Sequence, residues 1–321
     1  MRAHNVISVF CLRVFAFMAT ALAVSAQPYG YVSNEMGNNV SVVNRANNTI
    51  SATISVSGAG LTGLAITPNG SYIYAAEQSK NSIAVISTAS NSVVATVPVG
   101  TGPIHVAITP NGATAYVANT TSNSVSVINT ATNTVVDTIP VGSKPVGIAV
   151  TVDGAYVLVS NLSSANISVI STSTNSVRAT WATLSGPNGI AMSPNGSVAY
   201  VTNQYAGSVT FHSIATGNIL NTITGFCAPN SVAVTPDGSH LYVTNGNSSS
   251  VAVVNTSSAQ IVTKVPVGLL PTSVVVSADG STAYVTNAYG YSLSEINTAT
   301  NTVEFTLARV GIYPASVALY H

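Results

Sequence analysis

Apolar and polar residues alternate along this chain in short runs, and the runs recur. Between Pro103 and Gly142 four follow one another: Val106–Thr109, Ala115–Ala118, Val125–Asn129 and Thr134–Ile139. Val, Ile, Thr and Tyr fill the runs, while Gly, Pro, Asn and Ser fill the gaps, which is the composition of strands and turns. No run has the length or the 3.6-residue period of an amphipathic helix. Pro110-Asn111-Gly112 predicts a tight hairpin between the first two strands, because Asn tolerates a positive φ and Gly favours it. Asn129–Asn133 predicts a second hairpin, between strands three and four. Val125 and Val127 point one way, Ser126 and Ile128 the other, so neither sheet face is polar throughout and both must be covered.

The unit repeats at a fixed period. Its Asn/Asp-Gly turn stands at Asn69, Asn111, Asp153, Asn195, Asp237 and Asp279, each 42 residues after the last. The second-strand signature occurs at Tyr31, Tyr74, Tyr116, Leu158, Tyr200, Tyr242 and Tyr284. The first strand reads large-small-large, as in Val106-Ala107-Ile108 and Ile148-Ala149-Val150, which suits sheets converging on an axis. Stacked four-stranded blades meet these conditions: an all-β, seven-bladed β-propeller in one domain, residues 27–321. The chain starts with a second strand and ends with a first strand, Ser316 to Tyr320, which therefore should complete the blade begun by residues 31–54.

The Tyr-Val-Thr-Asn tetrads (Tyr200–Asn203, Tyr242–Asn245, Tyr284–Asn287), with Pro-Asn/Asp-Gly and Val-Ser-Val-Ile-Asn, resemble the YVTN-type propeller repeat across residues 28–321. That repeat is found in archaeal surface-layer proteins and in secreted bacterial proteins, including the YncE-like group. The resemblance implies the propeller fold. It leaves function open among surface proteins, lactonase-like enzymes and haem or quinone enzymes.

Residues 1–26 read as a signal peptide: Arg2 and Arg13, an apolar run from Val14 to Val24, then Val24-Ser25-Ala26 before Gln27. The run is too short to span a bilayer. The mature chain is thus expected to be secreted, without a transmembrane segment. It keeps one thiol, Cys227, read as partly buried and unable to form an internal disulfide. The whole chain has eight basic and eight acidic residues, and loss of Arg2 and Arg13 leaves a net charge near −2. Without a basic stripe, nucleic-acid capture is not expected. Asp137, Arg178, Lys264 and Glu304 fall on fourth strands, where charges guard sheet edges. Asp153, Asp237 and Asp279 are turn residues interchangeable with Asn, and the Asn residues closing second strands (Asn34, Asn119, Asn161, Asn203, Asn245, Asn287) should bond local backbone.

In an array of copies, chemistry is sought where the copies disagree. His212 and Glu295 replace aliphatic residues of third strands, and His105 replaces the Gly or Ser of sister first strands. One loop face carries the fourth-to-first and second-to-third connections. Candidate ligand-binding residues there, with His105, are Lys80, Lys144, Asn188, Tyr205, Asn230, Tyr289, Tyr291, Arg309 and Tyr313; Glu35 lies on the same face. Tyrosines among polar groups suit a cell-envelope glycan or a protein partner. There is no Cys-x-x-Cys-His for haem, no Gly-x-Ser-x-Gly elbow and no His/Cys set with metal spacing, so neither a cofactor nor a metal is expected and no catalytic residue is assigned. The expectation is a non-enzymatic binding scaffold. The alternative is a lactonase-like hydrolase or periplasmic redox accessory. Ionisable groups converging on one channel mouth would favour the alternative; a smooth Ser/Thr/Asn channel would favour the scaffold.

Overall fold

Hairpins join strands of six or seven residues into seven four-stranded antiparallel sheets. The computed structural model describes residues 29–58 and 60–320, so the signal-peptide reading lies outside the described residues. Blades 1 to 6 are continuous in sequence: 61–98, 103–140, 145–182, 187–224, 229–266 and 271–308. Blade 7 combines Pro314–Leu319 with Tyr29–Asn34, Asn39–Asn44 and Thr49–Ser55. Pro314–Leu319 pairs with Tyr29–Asn34 from Gly30↔Leu319 to Asn34↔Pro314, closing the ring without a covalent link as the strand count predicts. No helix among the described residues is long and apolar enough to cross a membrane.

The first hairpin differs in detail from expectation. Only Gly112 takes a positive φ, at 73°. Asn111 contributes its side chain instead: Oδ1 accepts from the Thr109 hydroxyl at 2.7 Å and from the Ala113 N–H at 3.0 Å. Asp237 does the same with Thr235 and Ser239, and these bonds hold its carboxyl at a pKa of about 2. The turn acids are therefore structural, as their exchange with Asn indicates.

Apolar clusters straddle neighbouring blades. Tyr74 and Val85 of blade 1 pack with Val106, Val117 and Ile128 of blade 2. The tyrosine hydroxyls then reach the next blade's outer hairpin, Tyr74 to Asn133 Oδ1 at 2.6 Å, Tyr116 to Asn175 at 2.9 Å and Tyr242 to Asn301 at 2.7 Å.

The asparagines closing second strands do not mainly bond local backbone. They are buried, and their amides donate to third-strand side chains: Asn119 to Ser124 and Ser126, Asn161 to Asn166 and Ser168, Asn287 to Ser292 and Ser294. Cys227 lies in the predicted loop but is exposed rather than partly buried, since Phe226 beside it takes the inward position. The fourth-strand charges are exposed on the outer edges as expected.

Every inner strand carries a bulge at the same place. In blade 2 the pairing runs Pro103↔Asn119, then His105↔Ala118; in blade 3 it runs Pro145↔Asn161, then Ile148↔Val159. A bulge interrupts the ladder and re-aims the residues within it. Here those residues border the central channel.

Candidate functional site

The channel opens, on the face of the fourth-to-first and second-to-third connections, into a cavity of about 390 Å³. All seven inner strands line it. Its size falls within the range of about 300–1,000 Å³ usual for small-molecule sites. The bulged positions supply Thr62, Asn188, Asn230, Thr272, Ser231 and Ser273, interleaved with Ile104 and Val146. Glu35 and Tyr313 border it, and His105 stands in its wall.

Glycine in sister strands makes room for this arrangement. A Cβ on Gly63 would lie 2.7 Å from the Ile104 carbonyl oxygen and 2.8 Å from Cδ2 of His105, and one on Gly147 would overlap the Asn188 carbonyl. The inner strands therefore approach closely, and the imidazole of His105 lies against the bare backbone of Gly63. On the other side its Nδ1 is 3.2 Å from the Val146 carbonyl oxygen. A carbonyl only accepts, so Nδ1 carries the proton and Nε2 keeps its lone pair. Among the described residues the ring makes no other hydrogen bond, so Nε2 is unpaired. Burial disfavours the imidazolium and lowers the His105 pKa below 6.5, although the Val146 bond opposes this. The residue is thus a neutral base of fixed tautomer.

Across the ring, Asn188 Nδ2 donates to Asn230 Oδ1 at 2.7 Å. In this arrangement Asn230 Nδ2 is left available as a donor. Glu35 has its pKa raised by burial, and its backbone N–H donates to the Tyr313 carbonyl at 2.9 Å. The Tyr313 hydroxyl is likewise pushed up, by burial and then by the nearby Glu35. No Lys or Arg lines the cavity among the described residues, and no three His, Cys, Asp or Glu side chains gather there as a metal site would need.

The ten candidates do not form one site. His105, Asn188, Asn230 and Tyr313 share the cavity. Tyr289 is outside the lining but packs edge-to-face on Tyr313 at 5.5 Å between centroids. Tyr291 is exposed in the same loop as Tyr289. Tyr205, Lys80, Lys144 and Arg309 belong to loops spread around the same face, outside the cavity. Lys80 is already engaged, with Ser57 Oγ at 2.9 Å and the buried Glu77 carboxylate at 3.8 Å. Thr62, Ser231, Thr272 and Ser273 were not singled out from sequence, although they occupy the columns of Asn188 and His105 one or two residues into each inner strand.

His212 and Glu295 lie away from the channel mouth and do not pair. His212 Nδ1 meets the Gly217 carbonyl at 3.2 Å, and Nε2 meets the hydroxyls of Thr210 at 3.1 Å and Thr183 at 3.2 Å. Its ring stacks on Trp181 at 6.3 Å. Glu295 sits between blades 6 and 7, near Asn48 and Arg45; its pKa is raised chiefly by burial, and Oε1 has no partner.

The family model described as lactonase, seven-bladed β-propeller, matches residues 13–136 and 176–311, more than half of the chain. No curated protein matches in sequence. Among solved structures, a protein of unknown function from Desulfotomaculum acetoxidans superposes with a TM-score of 0.81 at 20% identity, covering 91% of this chain and 99% of its own. Hydrazine synthase of Kuenenia stuttgartiensis gives 0.78 at 20%, covering 88% and 99%. A Bacteroides uniformis protein provisionally described as a 6-phosphogluconolactonase gives 0.76 at 19%, covering 91% and 99%. At these identities the likeness is one of fold. The matched family model goes further, and the chain belongs to the seven-bladed β-propeller lactonase family.

Proposed function

We propose that this protein is an exported YVTN-type propeller that hydrolyses a small uncharged lactone at its channel mouth. The observation that carries this reading is His105, whose Nδ1 is held by the Val146 carbonyl while Nε2 is left unpaired in the wall of a cavity rimmed by amides and hydroxyls. A general base must be unprotonated near neutral pH and within reach of water, and a lowered imidazole pKa meets the first requirement. In the reaction, Nε2 takes a proton from water as the water oxygen bonds to the lactone carbonyl carbon. The carbonyl oxygen becomes an oxyanion, for which Asn230 Nδ2 is a donor in the same cavity. Collapse breaks the ring C–O bond, and the imidazolium returns its proton to the leaving alkoxide. The product is a hydroxy acid, formed from one lactone and one water.

The description of the Bacteroides uniformis neighbour suggests a phosphorylated sugar lactone. The cavity lining argues for a different member of that class, because no Lys or Arg among the described residues lines it to meet a phosphate. A second reading, a recognition scaffold for a cell-envelope glycan, is favoured by the exposed tyrosines of the loop face. Export is supported by the composition of residues 1–26 and predicts a mature N-terminus at Gln27.

The test is hydrolysis of glucono-1,5-lactone by residues 27–321, followed by pH-stat above the spontaneous background. His105→Asn should lower kcat by about 10²-fold or more, the range for loss of a general base. An unchanged rate in a folded His105→Asn variant would sink the assignment. 6-Phosphogluconolactone should be the poorer substrate.

A further inference from the structure

One position of the cavity rim lies in the left-handed region in every blade, and the side chain it carries differs from copy to copy. The residue preceding each inner strand adopts a positive φ: Gly60, Gly102, Lys144, Gly186, Ala228, Leu270 and Tyr313. Glycine holds three of the seven positions, as the left-handed region favours. Blade 7 places a tyrosine there, at φ 58°, where a bulky side chain is strained. The strain is held by the Glu35 N–H on the Tyr313 carbonyl at 2.9 Å and by Met36 N–H on the Ile312 carbonyl at 3.3 Å. Lys144, Ala228 and Leu270 bear the same conformation in sister blades, so what sets Tyr313 apart is the aromatic ring it places there.

The ring that this places does two things. It forms part of the cavity wall, and it packs edge-to-face, at 76° between planes, on Tyr289, which is 59% exposed. The wall therefore continues outward as an aromatic shelf, with exposed Leu269 and Ile312 in the adjoining loops. A pyranose has apolar C–H faces that settle on aromatic rings and hydroxyls that meet amides and threonines. It carries no charge, and no Lys or Arg lines the cavity among the described residues.

We propose that Tyr313 and Tyr289 form a subsite for a neutral sugar ring, so that the substrate is the lactone of a disaccharide: the lactone ring sits in the cavity and the attached sugar on the shelf. This rests on the hydrolase reading above and adds its substrate class. The shelf contributes binding rather than chemistry, and its loss is felt in KM.

The experiment compares cellobionolactone and maltobionolactone with glucono-1,5-lactone for the wild type, Tyr313→Gly, Tyr289→Ala and Tyr205→Ala, with cellobiose and maltose binding followed by calorimetry. Tyr313→Gly relieves the strained backbone, so it keeps the fold. At least one disaccharide lactone should exceed gluconolactone in kcat/KM by about tenfold, the scale of one aromatic contact. Tyr313→Gly and Tyr289→Ala should bring that ratio to about one through KM, while Tyr205→Ala, remote on blade 4, leaves it unchanged. A wild-type ratio near one for both lactones, or a preference that survives both shelf variants, overturns the subsite while leaving hydrolysis standing. Disaccharide binding that is lost in Tyr313→Gly, without hydrolysis of any lactone, upholds the subsite and overturns the hydrolase. Neither binding nor hydrolysis overturns both.

Discussion

His105 and His212 are both histidines where sister repeats carry other residues, and their surroundings give them different tasks. His212 is fully buried with both nitrogens occupied, so it has no lone pair to offer a substrate. Burial lowers its pKa below 6.5. The folded state then binds this proton less readily than the unfolded state, and stability is lost as pH falls below about 6.5 until the folded pKa is reached. Thermal melts between pH 7.5 and 5 should show this loss, and His212→Ile, the residue of sister repeats, should reduce the slope; an unaltered slope would remove His212 from the account. His105 titrates lower than usual for the same reason, but its Nε2 has no partner. Its base form therefore persists into mildly acid solution, so the acid limb of kcat/KM should lie below pH 6.5 and should disappear in His105→Asn.

At the scale of elements, two devices recur. One is the tyrosine latch from a second strand to the next blade's outer hairpin. Tyr74→Phe deletes the bond to Asn133 and should cost about 0.5–1.5 kcal/mol in denaturant unfolding. The same change at Tyr200, which packs on Phe211 and makes no such bond, should cost less. The other device is the bulge that follows the first residue of each inner strand, together with the glycine that lets strands converge. Gly147→Ala drives a Cβ onto the Asn188 carbonyl, and overpacking of this kind costs about 1–3 kcal/mol. Because Asn188 orients Asn230, the variant should also lose lactone hydrolysis beyond its loss of stability, measured well below its melting temperature.

For the whole molecule, closure rests on one strand. Deleting Pro314–Leu319 removes the partner of Tyr29–Asn34 and exposes two blade faces, so a chain ending at residue 313 should lose its single cooperative transition or fail to accumulate as a monomer. A truncated chain that melts as the full one does would show the remaining ring to be self-sufficient. With charged residues at only 5% of the chain and one ion pair between Lys80 and Glu77 among the described residues, salt screening has little to act on. Melting temperatures should change little between low and high ionic strength.

Strand type, blade number and the closing strand were legible from residues 31 to 320, because seven copies of the alternating strand pattern and six Asn/Asp-Gly turns 42 residues apart are local information. His105 could be picked out as a departure for the same reason. The site it belongs to was not legible. Asn188, Asn230 and Tyr313 are separated from it by two to five blades in sequence and meet only when seven inner strands close on one axis. Thr62 and Thr272 look like ordinary strand residues until the bulge turns them to the channel. The burial of the closing asparagines was likewise set by tertiary packing, since the third strand and the fourth-to-first connection leading into the inner strand cover them. Local pattern determined the blade; the closure of the ring decided which side chains face a ligand.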